Sequence, residues 1–112
     1  MGIIIREACD RPDTLEIDSV VERPDDGRVV RGSVAGFEFE AIVYAVHAGN
    51  TACELGWSRI TDLVVQPAGA TQVCFRWRCG PMLPPCGPGV EQAVEVIAAY
   101  LADRVFPDPF AH

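Results

Sequence analysis

His47, Asn50, Cys53 and Glu54 fall within eight positions of one another. A cysteine nucleophile needs a base within hydrogen-bond reach and a third group to orient that base. Cys53, His47 and Glu54 have the side chains for those roles. No nucleophile signature surrounds Cys53, and an ordinary polar loop with His47 ending a strand explains the same letters. Four further cysteines, Cys9, Cys74, Cys79 and Cys86, make an odd total of five. The spacings Cys74-x4-Cys79 and Cys79-x6-Cys86 are not the tight C-x2-C knuckle of structural zinc. Convergence of Cys79, Cys86 and His47 is the remaining metal arrangement, and a Cys79–Cys86 disulfide closing the loop between them is the covalent one. Without a recognisable signal peptide, reduced thiols behaving as small apolar residues are the simpler expectation. No metal and no cofactor is expected.

Other chemistries find less. There is no Walker loop, no G-x-G-x-x-G after a strand and no G-x-S-x-G elbow. Cys86-Gly-Pro-Gly89 precedes a helix, but Pro88 removes a backbone donor and Glu91 repels an anion. The expectation is a non-enzymatic chain.

The elements that must hold these residues are mostly strands. Residues 72–79 read Q-V-C-F-R-W-R-C, with Val73, Phe75, Trp77 and Cys79 alternating against Cys74, Arg76 and Arg78. That is the period of a half-buried strand. Strands are also expected at 3–5, 14–21, 28–34, 37–46 and 59–66. Arg23-Pro-Asp-Asp-Gly27 and Ala35-Gly36 read as turns, and 47–57 as a long loop. In 37–46 the face of Phe37, Phe39, Ala41, Val43 and Ala45 is apolar. The other face begins with Glu38 and Glu40 and turns apolar at Ile42, Tyr44 and Val46. A strand apolar on both faces needs cover on both, from a loop, a partner or a second copy of the chain. Arg76 and Arg78 would meet Glu38 and Glu40 if their strands were neighbours.

A stiff Gly/Pro-rich connector, 80–89, leads to a helix that opens near Pro88 and ends about Val105. Val90, Val94, Ile97, Leu101 and Val105 form its core stripe. Glu91 and Arg104 suit the helix dipole, and Pro107 and Pro109 stop it. The fold class expected is α+β, a four- or five-stranded antiparallel sheet with one C-terminal helix packed on one face, all of 1–112 being a single domain.

The 112 residues carry a formal charge of −7, and every basic residue apart from the two histidines is arginine. Such a chain lacks the electrostatic footprint of a nucleic-acid binder and suits a protein partner with a basic surface. No apolar run approaches a membrane span, and the expected location is the cytoplasm. Candidate contact residues are the acids Asp25, Asp26, Glu38 and Glu40 and the large side chains Trp57, Met82 and Leu83. A homodimer through Ile42, Tyr44 and Val46 is the alternative interface.

The hairpin V-R-G-S-V-A-G-F-E-F-E at 30–40 and the later S-R-I-T-D-L at 58–63 resemble a loosely defined family of small uncharacterised phage and mobile-element proteins. Ser58 stands where glycine is more usual, and the cysteine-rich 74–86 region has no counterpart. The resemblance implies a small sheet-plus-helix accessory protein and gives no catalytic residue to carry over. Small acidic phage proteins often inhibit host defence machinery, anti-CRISPR proteins among them, which makes inhibition by stoichiometric binding the expected type of action.

Overall fold

The computed structural model describes residues 15–106 apart from Trp57 and Pro88. Among these residues, β1 (Leu15–Glu22), β2 (Arg28–Val34), β3 (Phe37–Val43), β4 (Ile60–Pro67), β5 (Phe75–Arg78) and β6 (Pro81–Leu83) precede one helix, α1 (Val90–Val105). The strands form one antiparallel meander in the order β1-β2-β3-β4-β5-β6. The fold is therefore α+β with a C-terminal helix, as the sequence indicates, but it has six strands rather than four or five. The additional strand is β6, inside the connector. Proline is tolerated at the first residue of an edge strand because no ladder donor is needed there, and Pro81 occupies that place. The expected strand at 3–5 lies outside the described residues.

Turn chemistry sets the register. Ala35 and Gly36 take φ of 50° and 86°, the two positive values of a tight hairpin turn whose twist matches its strands. That turn fixes Val34 opposite Phe37 and Val30 opposite Ala41. β1 carries an irregularity between Ile17 and Ser19. Opposite it, Gly32 is indispensable, since a Cβ there would strike the Glu16 carbonyl and the Phe39 ring.

One face of the sheet is dry. Val30, Val34, Phe39, Ala41, Val43, Ile60, Leu63, Val65 and Phe75 point to it and are buried. α1 lies across it with Val90, Ala93, Val94, Val96, Ile97, Leu101 and Ala102 buried. The expected stripe is present, with Val105 partly buried at its end. The helix opens at Gly89 in a left-handed conformation with φ of 81°. At its far end, Arg104 Nη1 donates to the Leu15 carbonyl at 3.2 Å.

Three sequence expectations change. β3 stops at Val43, so Ile42, Tyr44 and Val46 do not form one apolar face. Ile42 stays on the sheet, Tyr44 turns toward Asp25, and Val46 is 73% exposed in the loop. Arg76 and Arg78 do not oppose Glu38 and Glu40, because β4 lies between β3 and β5. The strand expected at 72–79 shortens to Phe75–Arg78. Cys74, placed by alternation on the polar side, precedes the ladder and is buried.

The two faces make a sharp prediction from adjacent residues. Leu63 is wholly buried and Val64 points to the opposite, open side. Leu63→Ala should cost about 2–5 kcal/mol of unfolding free energy. Val64→Ala should stay within about 1 kcal/mol. Urea denaturation of the two variants checks the assignment, and equal losses would contradict it.

Candidate functional site

The loop between β3 and β4 holds the residues that looked most chemical. It is built around Glu54, whose carboxylate is buried. Glu54 Oε1 lies 2.8 Å from His47 Nδ1 and accepts the Arg59 N–H at 2.8 Å. Its Oε2 accepts the Ala48 N–H. Burial by itself would raise the Glu54 pKa. The His47 ring and the two backbone donors together outweigh burial and hold it below the ordinary carboxylate value. Arg59, at a positive φ of 65°, then ties the loop to the helix. Its Nη1 donates to the Ala45 carbonyl at 2.7 Å and its Nη2 to Asp103 at 3.0 Å. His47 and Glu54 thus serve as architecture, cross-linking both ends of an irregular loop.

Cys53 is not a free nucleophile. It is bonded to Cys79 as a disulfide, which corrects both the reduced-thiol expectation and the proposed Cys79–Cys86 bridge. The loop returns over the end of β5, where Trp77 Nε1 donates to the Cys53 carbonyl at 2.9 Å. That contact brings residue 53 beside residue 79. Cys86 pairs elsewhere, with its N–H donating to the Cys74 carbonyl at 3.0 Å. His47, Cys53 and Cys79 line one cavity of about 390 Å³ with Tyr44, Thr61 and Asp62. Among the described residues no set of three His, Cys, Asp or Glu side chains converges as a metal site.

The acidic candidates separate. Asp25 is spent within its own turn. It accepts from Arg23 Nε at 3.1 Å, from the Gly27 N–H at 3.1 Å and from the Tyr44 hydroxyl at 2.8 Å. The hydrogen bond from Arg23, then those from Tyr44 and Gly27, bring its pKa down to about 2. Asp26 is exposed in the same turn with φ of 70°. Glu38 and Glu40 lie on the uncovered face of the sheet, far along the chain from that turn. Met82 and Leu83 lie on β6, where Leu83 sits opposite Arg76. Trp57 lies outside the described residues.

The uncovered face is the more extensive feature. Register aligns its side chains in rows across the strands. One row runs Ser19, Arg31, Glu40, Val64, Arg76 and Leu83. The next runs Val21, Val29, Ile42, Asp62 and Arg78. Two shallow depressions follow these rows. One of about 290 Å³ is lined by Asp18, Arg31, Glu38, Glu40, Val64 and Gln66. The other, of about 240 Å³, is lined by Val29, Glu40, Ile42, Asp62, Val64, Arg76 and Arg78. They share Glu40 and Val64 and so form one continuous groove. Two ion pairs cross it: Arg31 to Glu40 at 2.8 Å and Arg78 to Asp62 at 3.7 Å. Glu38 and Arg76 make no ion pair or side-chain hydrogen bond among the described residues.

Sequence reasoning marked Glu38, Glu40, Arg76 and Arg78 as outward-facing. It missed Arg31, Asp62 and Val64 as members of the same surface. The alternation in 28–34 would have supplied Arg31. Asp62 and Val64 were obscured by the irregularity between Ile42 and Val43, which puts Ile60 and Leu63 on the same face.

The site and fold define a small α+β meander with one covered and one open sheet face. No family model, no curated protein and no solved structure matches the chain.

Two pH-linked expectations follow. The folded-state pKa of Asp25 is depressed, so its contribution is complete above the ordinary value of 3.8 and fades as pH falls toward about 2. Asp25→Asn should abolish that window, read as the Tyr44 ring resonance no longer shifting with acid. Glu54 is likewise depressed, so its support is present at neutral pH and lost on acidification. Glu54→Gln keeps the shape but sets an amide donor against N–H donors. It should cost about 1–3 kcal/mol at neutral pH, and much less in acid, when the two proteins are compared by denaturation at both pH values.

Proposed function

We propose that this protein is a non-enzymatic binding module whose working surface is the open face of the sheet, and that its ligand is another protein with a basic patch. The carrying observation is the continuous groove over Val29, Ile42 and Val64, with Glu38 and Arg76 left unneutralised beside it. Partly buried aliphatic side chains offer area to a partner. Uncommitted charges offer orientation without first breaking an internal pair. The charge of −7 favours approach of a basic surface at long range. At contact the acids of the β1–β3 side, Asp18 and Glu38, would meet the basic patch, while Arg76 would seek an acid at its margin. Asp25 has no part in this, since its oxygens are already occupied. We further propose, from the resemblance of the 30–40 hairpin and the 58–63 segment to phage accessory proteins, that the action is stoichiometric inhibition of a bacterial defence component, of the anti-CRISPR type. Among the described residues no helix is long and apolar enough to cross a membrane. The reading keeps the cytoplasm as the compartment, and the Cys53–Cys79 bond pulls against it, because reducing compartments keep thiols free.

The test is comparative co-purification from a GC-rich bacterial lysate at rising salt. The wild-type chain and Asp26→Ala should retain the same stoichiometric partner. Glu38→Arg combined with Val64→Asp should lose it by at least tenfold while keeping the native circular dichroism. Retention by the double variant, or a partner lost on Asp26→Ala alone, would overturn the assignment to this face.

A further inference from the structure

We propose that Cys74 and Cys86 are a second oxidisable pair, and that their disulfide fastens the proline-rich connector to the sheet. Two hydrogen bonds converge on one atom. The Cys86 N–H donates to the Cys74 carbonyl at 3.0 Å, and the Cys86 Sγ–H donates to the same oxygen at 3.3 Å. Bond lengths along that backbone contact hold the two α-carbons within about 7 Å, the outer span of a disulfide. The Cys86 side chain therefore folds back over residue 74 instead of reaching away from it. The Cys74 thiol is held by a single thiol bond, to the Val65 carbonyl at 3.4 Å. Thiols are weak donors, so turning both sulfurs toward each other forfeits little.

The two residues differ in access. Cys86 is exposed and Cys74 is buried. Burial, and after it the neighbouring Cys86, raises the Cys74 pKa, so the exposed Cys86 is the thiol that starts the exchange. A small disulfide such as oxidised glutathione would meet Cys86 first. The Cys86 thiolate attacks one glutathione sulfur, the S–S bond breaks, and one glutathione thiolate leaves. Cys74 then loses its proton to solvent, attacks the Cys86 sulfur of the mixed disulfide and expels the second glutathione thiolate. The protein gives up two protons and two electrons, and one oxidised glutathione becomes two reduced ones.

The position gives the bond a consequence. Cys74 stands immediately before β5 and Cys79 immediately after it. The Cys53–Cys79 disulfide anchors the far end of that four-residue strand to the β3–β4 loop. A Cys74–Cys86 bond anchors the near end to the segment that leads into α1. β5 and β6 are the short outer strands beside Arg76, Arg78 and Leu83, so oxidation would stiffen that border of the open face.

The experiment is oxidation of the folded, full-length protein with oxidised glutathione, followed by blocking of residual thiols and non-reducing peptide mapping. Cys9→Ser is run alongside to remove the fifth cysteine. The expected product is a peptide pair joined through Cys74 and Cys86 in both proteins. Its melting temperature should be about 5 °C or more above that of Cys86→Ser treated identically. Cys74→Ala should stop at a glutathione adduct on Cys86, which confirms the order of attack even if Cys86→Ser is poorly folded. Overturning results are a wild-type protein that stops at the same adduct, one that joins Cys86 to Cys9 or Cys79, or one in which Cys86 remains an unmodified thiol.

Discussion

The structure depends on one helix covering one side of a six-stranded sheet. α1 has 16 residues, about 24 Å of length at 1.5 Å per residue. It packs against β1, β2, β3 and β4, which span about 14 Å at about 4.8 Å spacing, and the edge strand β6 lies beyond its cover with Met82 exposed. The strands β2, β3 and β4 must then present most of their larger apolar residues to that one side. A one-residue slip would exchange the faces entirely. The tight turn at Ala35-Gly36 and the bare position at Gly32 protect the register where β1, β2 and β3 meet. Where the ladder breaks, between Ile42 and Val43 against Ile60 and Asp62, the break returns Ile60 and Leu63 to the covered side.

The helix cannot close the end of the sheet where β3 gives way to β4. That end is closed by an irregular loop, and irregular backbone near a core must find partners for its N–H groups. Glu54 supplies them. A buried carboxylate with one donor would be a liability, because desolvation costs more than a single bond returns. With His47 and two backbone N–H groups around it, the charge is compensated, and together they hold the carboxylate below its ordinary pKa. Arg59 extends the same network to Asp103 on the helix, where the partner carboxylate is exposed and the pair is worth little by itself. Its value is positional, in holding the loop against α1. The residues that resemble a catalytic group in the sequence form a polar cluster around a buried carboxylate. Their role follows from burial, which no spacing rule reports.

That contrast explains what the sequence could and could not disclose. The alternation in β2 and β3, the turn residues and the stripe on α1 are local patterns, and each has a mechanical cause that acts over a few residues. The Cys53–Cys79 bond spans 26 residues and depends on a loop trajectory set by Trp77 and Glu54 together. The Tyr44–Asp25 hydrogen bond spans 19 and requires β3 to end three residues earlier than its hydrophobic run suggests. β6 was illegible because Pro81-Met-Leu83 among prolines and glycines has the composition of a loop. It becomes a strand only because β5 offers it an edge. Arg76 and Arg78 were recognisable as outward, but their true neighbours depend on strand order, which alternation does not contain.

The open face is what remains when a single helix has done its work, and its composition shows how such a face stays wettable. Val29, Ile42 and Val64 would make a continuous apolar patch if left alone. Arg31–Glu40 and Asp62–Arg78 lie across and beside them, and long arginine stems shield aliphatic surface while keeping their charges in water. Exposed ion pairs contribute about 0–1 kcal/mol each, so they are poor candidates for holding the sheet together. They are better understood as cover that a partner could displace at small cost. Glu38 and Arg76 sit beside that cover without internal neutralisation. A surface built in this way favours a partner that replaces two weak pairs with stronger desolvated ones, and it disfavours one that buries Glu38 or Arg76 uncompensated. Selectivity would then reside in the charge pattern, while the aliphatic centre would supply most of the contact area.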